Sequence, residues 1–160
     1  MEELTKKVLA WALAKGLLLE GNQFKQYAKC IEELGEFCEA HSTKKSPELG
    51  DIFVTLIILS AQLGKSFYSM YKRSEVLDQV RDVFKGELYV YESFSHLAEC
   101  LLKEKDAEQT IIDLISKVRT MAKLHWLNPD IALNNAYEKI KGRAGKTVDG
   151  RFIKEEDLKN

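Results

Sequence analysis

The sequence predicts an all-α protein, and three observations carry that prediction. Only two prolines occur among 160 residues. Pro47 and Pro129 each follow a good N-cap residue, Ser46 and Asn128, which places them at the first position of new helices. Apolar residues recur at helical spacing, as in the stripe Tyr27, Cys30, Ile31, Leu34, Phe37 and Cys38. Gly16 and Gly64 fall where such stripes stop, positions at which glycine takes the left-handed conformation that closes a helix.

Taken in order, a first helix is expected from about Glu3 to Lys15 and a second from about Phe24 to His41. The third begins at Ser46-Pro47 and runs through Ile52-Phe53-Val54-Thr55-Leu56-Ile57-Ile58-Leu59 to Leu63. Its β-branched content alone suggests a strand, but its length, its cap and the terminal glycine favour a helix buried on all sides. Phe67 to Arg73 is aromatic-rich, and Ser74 to Phe84 reads as a short amphipathic helix closed by Gly86. Another helix spans about Glu87 to Lys103. Asp106, with Gln109 three residues on, makes a capping-box-like start for the next, which ends near Leu124. The last helix starts at Asn128-Pro129 and reaches about Arg143, leaving a Gly- and Lys-bearing tail from Ala144 to Asn160.

The chain is expected to form a single all-α domain in three stretches, 1–64, 65–128 and 129–160. Phe94 to Leu124 repeats the layout of Leu34 to Leu63, with His96 and Leu97 where Glu36 and Phe37 stand. That is either a degenerate second helical hairpin or the likeness that any two such hairpins share.

With 45% hydrophobic and 31% charged residues the chain can bury a real core, which excludes disordered and fibrous classes. A net charge of -1 provides no global field to recruit nucleic acid or an anionic membrane, so any phosphate binding must be local. Cys30, Cys38 and Cys100 form no CxxC pair and lie on helical patterns, which reads as buried thiols in a reducing cytoplasm. Glu2 and Glu3 precede Lys6 and Lys7, an order unlike a signal peptide, and no run reaches the roughly 20 apolar residues of a membrane span. A cytoplasmic protein with neither nucleic-acid nor membrane partners is expected.

Two acidic clusters carry the chemistry: Glu32-Glu33-Leu34-Gly35-Glu36 and Glu48-Leu49-Gly50-Asp51. Glu33 with Glu36, Glu32 with Glu36, and Glu48 with Asp51 each share a helix face. The short connection from Ser42 to Ser46 makes an antiparallel hairpin the default, which brings the clusters together. Partly buried like charges raise each other's pKa or require a cation. EExxE alone is often a solvated face, and Glu48 also suits the positive end of its helix. The apolar third helix, however, draws its first turn against the bundle. All-oxygen ligation selects magnesium or manganese over zinc. His41, His96 and His125 are preceded three positions earlier by Cys38, Ser93 and Ala122, so the Glu-x-x-His of a di-iron bundle is missing.

A basic stretch crowds the last helix and its tail, Lys139, Lys141, Arg143, Lys146, Arg151 and Lys154 against the one acid Asp149 within it. It reads either as cations complementing a helix C-terminus or as a clamp for a polyphosphate. Trp11, Trp126, Phe24 and Tyr27 offer stacking surfaces for a nucleobase or belong to the core. Neither a glycine-rich phosphate loop nor a Ser/His/Asp order nor zinc spacing occurs, so a nucleophile, if there is one, should be water.

Gln26-x-x-Lys29-x-x-Glu32-Glu33-Leu34-Gly35-Glu36, then Glu48-Leu49-Gly50-Asp51-Ile52, then Ala136-Tyr137-Glu138-Lys139-Ile140-Lys141-Gly142-Arg143-Ala144-Gly145-Lys146 and the tail to Lys154 resemble the MazG-like all-α nucleoside triphosphate pyrophosphohydrolases, especially small phage-type and prophage-type members. The resemblance implies an antiparallel helical bundle that hydrolyses a (deoxy)nucleoside triphosphate to its monophosphate and pyrophosphate. It implies magnesium, with manganese as the alternative, held by Glu33, Glu36, Glu48 and Asp51. Glu32 would be a further ligand or orient the attacking water, which makes Glu32, Glu33 and Glu36 the catalytic set. Substrate contacts would fall to Gln26, Lys29, Lys139, Arg143, Lys146 and Trp11, with Asn135 or Asn134 standing in for an asparagine that relatives carry near Glu138.

Relatives run straight from the third helix into the last, whereas here residues 65–128 intervene. The insert is expected to supply within one chain part of what a partner subunit normally gives, and a homodimer or higher homo-oligomer is still expected. Two other readings remain: a dUTPase-type or dCTPase-type enzyme of the same superfamily, and a non-catalytic helical interaction protein. The biological role would be nucleotide pool cleansing or phage nucleotide metabolism.

Overall fold

The computed structural model describes residues 1–159. The chain is mostly helical: α1 (Glu2–Ala14), α2 (Gln23–Glu39), α3 (Lys45–Gln62), α4 (Phe67–Arg73), α5 (Val83–Leu102), α6 (Glu108–Leu124) and α7 (Pro129–Ile140). A two-stranded antiparallel hairpin, β1 (Gly145–Val148) and β2 (Arg151–Lys154), follows, and a 3-10 turn from Glu155 to Lys159 closes the described chain.

The helix ends follow local chemistry. Asn22 Oδ1 accepts from Phe24 N at 2.9 Å and Lys25 N at 3.1 Å to start α2. Asn128 Oδ1 does the same for α7, with Pro129 in its first turn as expected. α1 and α3 end in paired reverse bonds, Leu17 N to Ala12 O and Lys65 N to Ser60 O, with Gly16 (φ +79°) and Gly64 (φ +69°) in the left-handed position.

α3 is the central element. Leu49, Ile52, Phe53 and Ile57 are fully buried, each worth about 1.5–3 kcal/mol of burial. It packs against α1, α2, α4 and α7. α5 and α6 form a second helical hairpin that joins the same core through α4 and through Tyr27, whose hydroxyl donates to Phe94 O at 2.9 Å. α7 packs backbone against backbone on α3 at Gly50. A Cβ there would stand 2.2 Å from Ala132 O and 2.8 Å from Ala136 Cβ, so glycine lets α7 lie directly on the acidic turn of α3.

Four local expectations are corrected. α3 starts at Lys45 without a side-chain cap, and Pro47 sits within its first turn, where the missing N–H would be unsatisfied anyway. Residues 74–82 form no helix, because side chains of α6 claim two of their backbone N–H groups and only Val80 N to Leu77 O bonds within the segment. Glu75 N donates to Ser116 Oγ at 3.2 Å and Leu77 N to Thr120 Oγ1 at 2.9 Å. Gly86 is not a helix stop: α5 begins at Val83 under an Asp82 cap, and a Cβ on Gly86 would meet Leu124 Cδ1 at 2.5 Å. The capping box at Asp106 does not close, since Gln109 Nε2 donates to Asp113 at 2.9 Å.

The tail is a β-hairpin docked on the N-terminal helices. Asp149 (φ +49°) and Gly150 (φ +77°) form its two-residue turn between Val148 and Arg151, the arrangement of a type I′ turn. Thr147 N and Oγ1 both donate to Lys15 O, at 3.1 and 2.7 Å, and Asn22 N donates to Gly150 O at 3.0 Å. Phe152 packs on Trp11 with ring centroids 5.5 Å apart. Among the described residues, no single helix is long and apolar enough to cross a membrane.

Candidate metal centre and the cleft beside it

α2 and α3 place Glu33, Glu36 and Glu48 so that one carboxylate oxygen of each lies within 4.8 Å of the others. Glu33 is the buried member, 6% exposed. Burial raises its pKa above the ordinary carboxylate range, Lys29 opposes that rise, and Asp51 and Glu36 add to it. Glu48 is raised in the same way, by burial first and then by Asp51, with Lys139 only partly offsetting them. For both groups burial is the leading cause, and neighbouring carboxylates add to it.

Two lysines supply what neutralisation there is. Lys29 Nζ lies 2.7 Å from Glu33 and 3.0 Å from Glu32, one turn away on the same helix. Burial works against its charge, yet the two carboxylates outweigh burial and raise its pKa. Lys139 Nζ lies 2.7 Å from Asp51 Oδ2. That bond raises the lysine's pKa, and it forms because Gly50 admits α7.

Glu33 and Asp51 also line a cleft of about 690 Å³. Its α2 wall carries Gln26, Lys29 and Glu32, and Gln26 Nε2 is fixed by donating to Thr55 O at 3.1 Å. Arg143 lines the same cleft, together with Arg151 and Lys154 of the hairpin and the acids Asp149 and Asp157. Trp11 and Phe152 line the same space, and the indole Nε1–H of Trp11 is buried with no acceptor among the described residues. Carboxylates and cations thus share an aromatic-lined cleft. Such a cleft can hold an anionic ligand on its cations and a hard cation on its carboxylates.

Of the residues singled out by the sequence, Trp11, Gln26, Lys29, Glu32, Glu33, Asp51 and Arg143 meet in this cleft. Glu36 and Glu48 join through Glu33 at its edge. Asp51 is turned to Lys139 and lies outside the group of three carboxylates. Lys146 on β1 and Asn135 on α7 are exposed and do not line the cleft. Tyr27 bridges to Phe94, and Trp126 stands 95% exposed elsewhere. Sequence reasoning missed Lys25, whose ammonium holds Asp149 O, and Phe152 as an aromatic wall. The Asp149-Gly150 pair between alternating residues was the signal for both, because it predicts the hairpin that carries them here.

No protein-family model matches the chain, and no solved structure matches it. One curated protein is similar: the "Uncharacterized 18.2 kDa protein in rep-hol intergenic region" of Haemophilus phage HP1, 32% identical over 66 residues, 39% of this chain and 40% of that protein. The match thus spans less than half of either chain, and it is a likeness to a protein of phage origin.

Proposed function

We propose that this protein is a magnesium-dependent nucleoside triphosphate pyrophosphohydrolase with a MazG-type helical bundle, converting a (deoxy)nucleoside triphosphate to its monophosphate and pyrophosphate. The observation that carries the reading is the cleft lined by Glu33 and Asp51 together with Arg143, Arg151 and Lys154, with Glu36 and Glu48 beside Glu33. The donor set fits the metal: three carboxylates with oxygens within 4.8 Å of one another are an all-oxygen set, suited to magnesium or manganese. When bound there, the ion supplies Lewis acidity that makes water a better nucleophile and offsets phosphate charge.

The chain's own residues do the rest. Glu33, Glu36 and Glu48 hold the cation, with Asp51 available beside them once Lys139 turns to the substrate. Glu32, exposed and tied only to Lys29, takes the proton of the attacking water. The water oxygen bonds to the α-phosphorus while the bond from that phosphorus to the bridging oxygen breaks, and pyrophosphate departs with the electron pair. Arg143, Arg151 and Lys154 compensate the charge that grows on it. Trp11 and Phe152 flank the nucleoside end.

In this reading the α5–α6 hairpin stands within one chain where relatives use a partner subunit. Residues 1–64 then supply the metal site, 65–128 the insert and 129–160 the phosphate clamp. A cytoplasmic enzyme of nucleotide pool cleansing or phage nucleotide metabolism follows, working as a homodimer or higher homo-oligomer. The test is a panel of nucleoside triphosphates with magnesium, read by chromatography of the products. Monophosphate and pyrophosphate from at least one member support the reading; a preference for dUTP or dCTP places it in the dUTPase or dCTPase branch. No turnover of any member by folded protein overturns the enzyme and leaves a non-catalytic helical protein.

A further inference from the structure

Away from the cleft, the turn between α6 and α7 carries a second groove of about 450 Å³, walled by Tyr71, Arg119, Lys123, Trp126 and Pro129. Trp126 is 95% exposed and holds φ +57°, a left-handed conformation that a bulky residue adopts only under strain. It closes α6 through Trp126 N to Lys123 O at 3.0 Å and Leu127 N to Ala122 O at 2.9 Å. α1 and α3 end in the same bond pattern with glycine at this position. The fold therefore has no need of an indole here, and so exposed a side chain gains almost nothing from packing in return.

Arg119 shares the groove and is built into it. Its Nη1 donates to Tyr71 O at 3.2 Å, to Ser74 O and to Ser74 Oγ at 2.8 Å, and the guanidinium lies 4.6 Å from the Tyr71 ring centroid. All three bonds use Nη1, so Nε and Nη2 are left without an acceptor among the described residues. No carboxylate among those residues pairs with it. Lys123 adds a second cation, held by Asp78 in a surface pair whose partners are both well exposed. Asn128 and Pro129 bring the positive end of the α7 dipole to the same place. No acidic side chain lines the groove, and Asp130 next to it is taken by the Met1 ammonium.

We infer that this groove docks an acidic peptide segment of a partner protein, one carboxylate on the free edge of Arg119 and a neighbouring apolar side chain against Trp126. Charge complementarity selects the acid: Arg119 faces the groove with no carboxylate partner among the described residues, beside Lys123, whose pair with Asp78 is solvent-exposed, and a helix N-terminus. A carboxylate matches the parallel N–H donors of a guanidinium edge. Trp, Tyr and Arg are also the side chains that most often dominate the binding energy of protein interfaces, and all three stand here together.

The test uses the whole chain and a fluorescein-labelled peptide, acetyl-Asp-Glu-Leu-Glu-Glu, followed by fluorescence anisotropy, with an Asn/Gln version as the neutral control. Saturable binding of the acidic peptide below about 1 mM, weakening as salt is raised and at least tenfold tighter than the neutral control, is expected. Arg119 also ties down residues 74–82, so the decisive variant is Trp126→Gly. Glycine suits φ +57°, and its melting midpoint should hold or rise while affinity for the peptide falls at least tenfold. Undiminished binding by Trp126→Gly, equal binding of the neutral peptide, or no saturable binding at all overturns the inference. Displacement of the peptide by equimolar inorganic phosphate also overturns it, since that would make the groove a small-anion site.

Discussion

Replacing Gly50 with alanine tests the contact on which the acidic turn is built. The added methyl would sit 2.2 Å from Ala132 O and 2.8 Å from Ala136 Cβ, both well inside van der Waals contact, and the first obstacle is backbone that cannot rotate away. α7 must retreat from α3 by something near 1 Å. Overpacking of this kind costs about 1–3 kcal/mol, while glycine to alanine within a helix returns about 0.5–1 kcal/mol. The net loss is then about 0–2.5 kcal/mol, or a melting midpoint lowered by up to about 10 °C for a chain of this size. Gly35 provides the internal control. It too lies mid-helix in an acidic motif, but nothing stands within 4 Å of its Cβ position. Gly35→Ala should therefore raise the midpoint by about 1–4 °C. Thermal unfolding of both variants followed by circular dichroism decides the matter. A Gly50→Ala protein as stable as Gly35→Ala would refute the claim that α7 rests on that glycine.

Other expectations follow from the same geometry. Glu48 has its pKa raised in the folded protein, so its ionised form costs stability above the folded pKa, and that cost fades as pH falls toward the unfolded value. Glu48→Gln should therefore raise the melting midpoint at pH 7 in the absence of divalent ions and leave it nearly unchanged at pH 3, as denaturation scans at the two pH values would show. The same variant should lose most of the stabilisation that millimolar magnesium gives the wild type, read as the shift in midpoint on adding the ion. Gly150→Val forces a β-branched residue into φ +77° within 2.6 Å of Asn22 Cβ. It should cost about 1–3 kcal/mol locally, detach the hairpin, and speed amide exchange at residues 145–154 more than in α3. Arg151→Ala removes one cation of the cleft wall and should raise the KM for a triphosphate about tenfold with little change in melting midpoint.

Long periodic elements were legible in the sequence. α3 was read as buried on all sides despite eight consecutive residues, Ile52 to Leu59, rich in β-branching, because Gly64 and its length outweighed local propensity. The acidic helical hairpin followed from that burial and a short connection. What was not legible depended on partners distant in sequence. Residues 74–82 have an amphipathic pattern, yet hydroxyls of Ser116 and Thr120 claim their backbone groups. Gly86 has the identity of a stop and the role of a packing notch against Leu124. The cationic lining of the cleft was half legible: Arg143 was placed from the end of its helix, but Arg151 and Lys154 reach it only through a hairpin whose Asp-Gly turn was overlooked. Asp51 could not be sorted from the other carboxylates by spacing, since its partner Lys139 sits 88 positions away.

The most direct test of the central claim is to run the magnesium reaction in water enriched in oxygen-18 and to weigh the products. Attack by water on the α-phosphorus places one heavy oxygen in the nucleoside monophosphate and none in the pyrophosphate. Label in released pyrophosphate or inorganic phosphate, or equal labelling by a folded Glu33→Gln protein, would contradict a hydrolytic centre built on these carboxylates.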